Sequence, residues 1–287
     1  FRKETLYQKM RALIIYLVIS AVFIGCTPIL SIDASTQNVY HFSDTDKNIS
    51  LLDISETFGT YDGSFVLYDN NLDSWKIYDL EEATKRIPPE STYKIYDALL
   101  GLESGIITPE HSSMTWNGDA FPFPSWEADQ DLNSAMQNSV NWYFQAIDSQ
   151  LGINRVQEFL NKIEYGNQTT SSNLDLYWSD FSLKISPLEQ VTLLKKFNTN
   201  EFHLNFQNVF SVKNAIKIAS TPNGNFYGKT GTGRVNGQDI NGWFIGYVET
   251  SDNSYYFATN IQSDSNATGK KAFEITSDIL KKLHIWN

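Results

Sequence analysis

The sequence predicts a mixed α/β domain, in which an antiparallel sheet is flanked by helices and a helical subdomain lies between the first and last strands. Three observations predict this fold class. Short strand-like runs occur at residues 64–78 and again at 225–262, and the long region between them has apolar residues at helical spacing. A last apolar helical pattern, at 270–283, follows the second group of strands. Strands that are far apart in sequence must therefore share one sheet.

The first strands form a predicted hairpin. Residues 64–68 and 74–78 flank the segment 69–73, whose Asn and Asp residues tolerate tight turns. Further strands are predicted at three later segments, residues 225–231, 242–249 and 254–262. No linker rich in Pro, Gly or Ser divides residues 63–287, so this region is predicted to be one domain.

The N-terminal region has the pattern of a membrane anchor. Residues 12–32 carry no charge and are mostly apolar. This segment is long enough to span a bilayer, which takes roughly 20 residues. Basic residues precede them at Arg2, Lys3, Lys9 and Arg11. The positive-inside bias then places the N-terminus in the cytoplasm and residues 34–287 outside the cell membrane. Residues 1–33 are thus a predicted basic flank and transmembrane helix, and residues 34–62 a juxtamembrane linker.

A secretory signal is the alternative interpretation of this segment, because a basic start and an apolar run also describe signal peptides. The stretch Phe23-Ile-Gly-Cys26 resembles a lipoprotein cleavage site. The chain begins with Phe1, which indicates a piece of a longer protein.

The composition excludes several classes of function. The formal net charge of −11 argues against nucleic acid as a partner. Cys26 is the one cysteine, so no disulfide is expected, and the four histidines are scattered without metal-ligand spacing, so no metal is expected. Four tryptophans are predicted to be core residues: Trp116, Trp126, Trp142 and Trp243.

Three short motifs follow one another in the order of a serine acyl-transfer site. Ser91 and Lys94 are three residues apart, so on a helix the amine reaches the serine hydroxyl and, if burial lowers its pKa, activates it as a base. Ser139 begins an apolar helical pattern that would point its hydroxyl into a cleft for proton relay, and Asn141 lies two residues further on. Lys229-Thr-Gly231 lies in a strand-like run, where Lys and Thr attract a carboxylate and Gly lets a ligand approach the backbone.

Each motif alone has a simpler explanation. About one Ser-x-x-Lys is expected by chance in a chain of this length, and a Ser before a helix is usually a cap. A Lys-Thr-Gly is usually a strand end or turn. The ordered combination of the three predicts a functional site, because it is typical of class A β-lactamases and penicillin-binding proteins.

From about Gly63 onwards the chain resembles class D serine β-lactamases, and more closely the penicillin-sensing domain of the Bla/Mec family of bacterial β-lactam receptors. The resemblance rests on matching segments at 89–96, 114–117, 129–133, 135–144, 165–167, 182–186, 227–233 and 241–244. It implies a serine β-lactamase/transpeptidase-like fold.

The resemblance also implies roles for the site residues. Ser91 would be the acylated nucleophile, Lys94 a general base carboxylated by carbon dioxide, and Ser139 the proton relay. Trp178 would steady the Lys94 carbamate. The carboxylate-binding wall would be Lys229, Thr230 and Thr232 with Gly231, and the backbone amides of Ser91 and Thr232 would form the oxyanion hole.

Two departures from the hydrolytic class D pattern favour a sensor over an enzyme. Asn141 stands where the enzymes usually have an apolar residue, and its amide can donate hydrogen bonds that favour loss of the carbamate. Residues 261–271 contain no arginine, whereas the enzymes usually have one there to bind the substrate carboxylate. Both departures indicate slow or absent turnover of the acyl-serine.

The sequence therefore predicts an extracellular β-lactam sensor domain, acylated at Ser91 by penicillins and cephalosporins. Receptors of this family place a membrane metalloprotease upstream, and this chain has no His-Glu-x-x-His of its own. Two alternatives stay open. One is a membrane-anchored class D β-lactamase, and the other is a penicillin-binding D,D-peptidase that acts on cell-wall peptides.

Overall fold

The structure is a computed structural model that describes residues 48–287, which lie in one compact unit. In chain order its regular elements are β1 (Ile49–Leu51), α1 (Ser55–Phe58), β2 (Asp62–Asp69), β3 (Ser74–Tyr78), α2 (Leu80–Thr84), α3 (Lys94–Glu103), α4 (Leu132–Gln137), α5 (Asn141–Leu151), α6 (Ile153–Ile163), α7 (Pro187–Asn198), α8 (Phe206–Ala215), β4 (Lys217–Thr221), β5 (Gly224–Val235), β6 (Gln238–Glu249), β7 (Ser254–Gln262) and α9 (Gly269–Lys282). Strands at both ends of this order enclose a helical middle, so the predicted mixed α/β class is confirmed.

One seven-stranded sheet organises the domain, in the order β1-β3-β2-β7-β6-β5-β4. Neighbouring strands are antiparallel except β1 and β3, which are parallel. The predicted hairpin is β2 and β3, and the strand predicted at 254–262 is β7 with the same bounds. Pairing of β2 with β7 joins the two ends of the chain, and this brings the segments before and after the helical region together.

The sheet is covered on both faces, so its central strands are apolar on both sides. In β2, Phe65 and Leu67 pack on the face that α9 covers, while Val66 and Tyr68 pack towards the helical region. Successive side chains of a strand point to opposite faces, so an uninterrupted apolar run is what such a strand needs. The sheet thus separates an apolar layer under α9 from a larger layer that contains the motif residues.

Helix α7 has sequence signals at both of its ends. Ser186 caps its N-terminus by accepting from the backbone N–H of Glu189, and Pro187 occupies its first position. Glu189 reaches back to the Ser186 N–H, which completes a capping box. Two lysines in the last turn, Lys195 and Lys196, complement the helix dipole.

The predicted transmembrane helix lies outside the described residues. Among residues 48–287, every helix is too short or too polar to span a bilayer. The described part of the predicted linker, residues 48–62, contributes β1 and α1, and Phe58 of α1 is buried in the layer under α9. Packed structure therefore begins earlier in the chain than Gly63.

Candidate active site

Ser91 and Lys94 meet where a 3₁₀ turn runs into a helix. The turn is Glu90–Tyr93, and α3 begins at Lys94. A 3₁₀ turn has three residues per turn, so side chains three positions apart lie directly above one another. Lys94 Nζ donates a hydrogen bond of 2.8 Å to Ser91 Oγ. The spacing predicted this contact, and the 3₁₀ geometry makes it short.

The amine of Lys94 is fully buried and has two hydrogen-bond acceptors. Besides Ser91 Oγ, it donates to Asn141 Oδ1 at 2.8 Å, and it lies 4.3 Å from the centre of the Trp178 ring. Burial lowers the pKa of Lys94 well below its usual range, and the nearby cation of Lys229 lowers it further. The free amine that base catalysis requires is therefore favoured at neutral pH.

Asn141 contacts Lys94 through its carbonyl oxygen, which accepts from Lys94 Nζ. The sequence assigned the Asn141 amide a donor role towards a carbamate on Lys94, and that role stays a prediction. The amine of Lys94 is thus held between Ser91 and Asn141.

Ser139 and Lys229 form the second contact pair of the site. Lys229 Nζ donates to Ser139 Oγ at 3.0 Å and to the backbone carbonyl of Thr230 at 3.0 Å. Burial lowers the pKa of Lys229 to about 7. Ser139 lies in the turn between α4 and α5, with a left-handed φ of 56°, and α5 begins at Asn141. The prediction that a helical pattern begins at Ser139 was wrong by two residues, because the turn that aims its hydroxyl at Lys229 is not helical.

Strand β5 passes close to the serine. A side chain at Gly231 would place its Cβ 3.2 Å from Ser91 N, and 3.0 Å from Glu90 Cβ, so a larger residue would push the strand away. Thr232 Oγ1 accepts from the backbone N–H of Gly269, at the start of α9. The amides of Ser91 and Thr232 therefore lie on two segments in close contact, as an oxyanion hole requires.

A cleft of about 330 Å³ opens above these residues. Its lining consists of Ser91, Phe123, Ser125, Trp126, Asn138, Ser139, Asn141, Thr230, Gly231, Thr232, Arg234 and Asp239. Lys94, Lys229 and Trp178 lie beneath the surface of the cleft, each 4 % exposed or less. All nine predicted site residues therefore converge on one place, with the hydroxyls in the cleft and the amines below it.

Six residues that line the cleft were not predicted as site residues: Phe123, Ser125, Trp126, Asn138, Arg234 and Asp239. Trp126 was predicted to be a core residue, but it is half-buried, packs against the core and also lines the cleft. Arg234 at the rim pairs with Asp239, at 2.7 Å between Nε and Oδ1. This arginine lies on β5, after the Lys229 motif, and not in residues 261–271, where the enzymes usually have one.

Buried carboxyls beside the site were also missed. Glu90, which directly precedes the serine, is 5 % exposed and accepts from Asn241 Nδ2. Burial raises the pKa of Glu90 to about 8. Asp97 and Asp148 are fully buried near Lys94. A charged residue inside the apolar run of α3 was the available signal for Asp97. Among the described residues, no group of three or more His, Cys, Asp or Glu side chains could hold a metal ion.

The comparisons with known proteins identify the class of this domain. The profile described as penicillin binding protein transpeptidase domain matches residues 63–281. The chain therefore belongs to the penicillin-binding protein transpeptidase domain family.

Two relatives narrow its position in this family. The regulatory protein BlaR1 of Bacillus licheniformis is 44% identical over 98% of this chain. The solved C-terminal domain of the Bacillus licheniformis BlaR penicillin-receptor superposes with a TM-score of 0.81 at 46% identity, and the match covers 84% of this chain and 98% of that domain. The chain spans about half the length of the BlaR1 relative, 46%.

Enzymes are relatives as well. The probable β-lactamase YbxI of Bacillus subtilis is 37% identical over 82% of this chain and 86% of its own length. The solved class D β-lactamase BAT-2 superposes with a TM-score of 0.77 at 36% identity, over 82% of this chain and 97% of that chain. The resemblance to both penicillin receptors and class D β-lactamases is thereby confirmed.

Proposed function

We propose that this domain is a β-lactam sensor, in which Ser91 opens the lactam ring and remains acylated. The observation that carries the proposal is the position of the Lys94 amine, which is buried and shared between Ser91 Oγ and Asn141 Oδ1. The base that activates the serine is thus in direct contact with Asn141, whose amide N–H would donate to a carbamate on Lys94 and favour its loss.

Acylation uses the groups in the following way. Lys94, or the carbamate that carbon dioxide forms on it, removes the proton of Ser91 as the hydroxyl attacks the lactam carbonyl. The amides of Ser91 and Thr232 stabilise the oxyanion. Ser139, which accepts from Lys229, relays a proton to the departing lactam nitrogen. Lys229, Thr230 and Thr232 attract the carboxylate of the drug.

A carbamate on Lys94 would find suitable partners. The indole N–H of Trp178 is buried beside Lys94, where a carbamate oxygen would be a fitting acceptor for it.

The persistence of the acyl-serine is the feature that makes a sensor. Deacylation needs a base that still works after the ring has opened. Asn141 is in direct contact with Lys94 Nζ, so its amide N–H would donate to a carbamate there and favour loss of carbon dioxide. Water at the ester then lacks an activating base.

A class D β-lactamase is the second candidate function. The match to nearly the whole length of a probable β-lactamase favours it, as does the complete set of serine, lysine and relay hydroxyl. The same cleft would then release its product. A D,D-peptidase has less support, because Trp178 beside a buried lysine base follows the class D pattern.

The setting of the domain is part of the proposal. The apolar residues 12–32 with their basic flank would anchor it in the cell membrane with residues 34–287 outside. A metalloprotease region upstream in the same receptor would receive the acylation signal. Protease added outside cells that express the chain should digest the domain and spare residues 1–11, whereas a mature protein that begins at a lipid-modified Cys26 would contradict the anchor.

The decisive experiment measures turnover. The full chain is mixed with a fluorescent penicillin, and intact-mass spectrometry follows the adduct. We expect one label per chain that persists for hours, and no label in Ser91→Ala. Hydrolysis at many turnovers per second would replace the sensor with the β-lactamase. The drug remaining intact, with no adduct formed, would contradict both.

A further inference from the structure

The residue before the nucleophile has a strained backbone conformation. Glu90 has a left-handed φ of 53°, which glycine adopts readily and glutamate does not. Pro88 and Pro89 precede it, and Ser91 follows it. A strained residue persists only where its surroundings hold it in place. The contacts that hold Glu90 therefore also set the position of Ser91.

The backbone before the serine is held from two sides. The N–H of Glu90 donates to the Trp178 carbonyl at 3.0 Å. The Pro88 carbonyl accepts from Trp243 Nε1 at 2.8 Å and from Asn241 Nδ2 at 3.1 Å. Both of these donors are side chains of β6. The turn that carries the serine is thus attached to the sheet as well as to the segment of Trp178.

The side chain of Glu90 extends this attachment to a third element. Asn241 Nδ2 donates to Glu90 Oε1 at 3.1 Å, and Asn241 Oδ1 accepts from Asn260 Nδ2 of β7 at 2.8 Å. Asn260 Nδ2 also donates to the Gly242 carbonyl at 3.1 Å. Because the Pro88 and Gly242 carbonyls can only accept, they fix which side of each amide carries its N–H. All three side chains of this chain of hydrogen bonds are 7 % exposed or less.

Strand β5 leaves room for the Glu90 side chain. A Cβ at Gly233 would collide with Glu90 Oε1, and a Cβ at Gly231 would lie 3.0 Å from Glu90 Cβ. The same Cβ at Gly231 would lie 3.2 Å from Ser91 N. Glycine in a strand allows such a close approach of a neighbouring segment. Thr232 lies between the two glycines, so this packing also sets the separation of the Ser91 and Thr232 amides.

We propose that Glu90 and Asn241 are positioning residues for acylation, and that their hydrogen bond holds the strained turn so that the Ser91 amide stays aligned with the Thr232 amide. The inference rests on the proposed function, because it takes acylation of Ser91 as given. Neither Glu90 nor Asn241 lines the cleft, so both act through the turn. Oxyanion donors act only at the place where charge develops, and a small displacement of one of them slows the reaction.

The test separates binding from acylation in the full chain. Stopped-flow labelling over a range of fluorescent penicillin concentrations gives the dissociation constant Kd of the first complex and the acylation rate constant k2. Asn241→Leu is close in volume and removes the amide. We expect k2 to fall about 10–100-fold, because the amide of Ser91 is displaced, while Kd keeps its native value.

Two substitutions at Glu90 test the hydrogen bond itself. Glu90→Met is close in length but has no oxygen to accept from Asn241, so k2 should fall as in Asn241→Leu. Glu90→Gln keeps a carbonyl oxygen and should restore most of the rate that is lost in Glu90→Met. This pair decides the matter if Asn241→Leu does not fold, and equal k2 values in Glu90→Met and Glu90→Gln overturn the proposal.

Asn208 offers a matched control outside the site. It is 8 % exposed, and its Nδ2 donates to Glu103 Oε1 at 2.7 Å, so the donor and acceptor atoms are the same as between Asn241 and Glu90. Asn208→Leu should leave k2 and Kd unchanged. If k2 falls as far in Asn208→Leu as in Asn241→Leu, the rate follows general stability and the proposal is overturned.

The acylated protein provides a second measurement. In the oxyanion hole the ester carbonyl accepts hydrogen bonds from two amides, which weakens the C=O bond. Infrared spectra with penicillin labelled with carbon-13 at the lactam carbonyl should therefore show the ester band at higher frequency in Asn241→Leu than in the native chain.

Failure of this inference differs from failure of the proposed function. A native chain that is acylated, with the same k2 and the same ester band in Asn241→Leu, overturns only the positioning role. A native chain that hydrolyses the drug rejects the sensor, but its k2 still tests that role. A native chain that leaves penicillin intact overturns the proposed function and, with it, the acylation step that the turn would serve.

Discussion

The two faces of the sheet are built on different principles. Under α9 the layer is almost wholly apolar, with Phe65, Phe244 and Phe257 among its fully packed side chains. Its buried hydroxyls, Thr259 and Thr276, hydrogen-bond each other. Removal of such surface from water stabilises the fold without any need for exact partners.

The opposite layer buries charge. Five ionisable groups of the site lie there at 5 % exposure or less: Glu90, Lys94, Asp97, Asp148 and Lys229. The hydroxyls of Tyr93 and Tyr165 and the indole N–H of Trp178 are also buried there. Burial of such groups lowers the free energy of unfolding. The comparison teaches that apolar burial in the α9 layer stabilises the fold, and that this stability offsets the cost of burying the ionisable groups of the site.

The largest expected effect is on the acylation rate, which a substitution at Lys94 should change without lowering the free energy of unfolding. Lys94→Met keeps the volume but removes the base, so acylation should slow by about 10²–10⁴. The free energy of unfolding should stay equal or rise, because a desolvated amine is gone. Stopped-flow labelling and denaturant melts measure the two. Lys196→Met, outside the site, is the control: it should leave the labelling rate unchanged and lower the free energy of unfolding by less than about 1 kcal/mol, because it removes one ion pair with Glu164. A large loss of stability in Lys94→Met would break the comparison.

The next effect tests the apolar layer. Phe257→Ala should lower the free energy of unfolding by about 3–5 kcal/mol, because it leaves a cavity between β7 and its aromatic neighbours. The labelling rate of the folded protein should not change. Phe206→Ala, at a side chain that is 68% exposed, should lower the free energy of unfolding by less than about 1 kcal/mol. Denaturant titration gives both values, and slower labelling in Phe257→Ala would show that the layers are coupled.

The smallest effect has the opposite sign. Glu90→Gln mimics the protonated carboxyl and should raise the free energy of unfolding by about 1–3 kcal/mol at pH 8. Because burial raises the pKa of Glu90 to about 8, its contribution to stability is full below its unfolded pKa and is lost as pH rises towards 8. The gain in the variant should therefore grow from about pH 4.5 to 8 and then level off.

Melts at several pH values check this prediction. The same substitution at the exposed Glu110 is the control and should give no such trend. A gain that is equal at pH 5 and pH 8 would mean that packing, and not ionisation, separates Glu90 from Gln.

Much of the site could be predicted because its motifs are local. The separation of Ser91 and Lys94 fixes their contact once the chain turns helically, and Lys229, Thr230 and Gly231 needed only a strand. The prediction for Ser139 was less accurate, because a left-handed turn residue leaves little trace in apolar spacing. Trp126 was assigned to the core for a related reason, since composition does not distinguish a ring that packs on the core from one that also faces a cleft.

The sequence by itself determined the hairpin, the strand at 254–262, the closing helix and the chemistry of the three motifs, because neighbours in the chain set each of them. Tertiary structure alone decided which face of the sheet bears charge. It set Trp178 beside Lys94, turned the Asn141 carbonyl towards the amine, and brought the Tyr177 hydroxyl to Asp148. Such contacts join helices and loops that are distant in sequence, and the pKa of a buried group depends on everything packed around it.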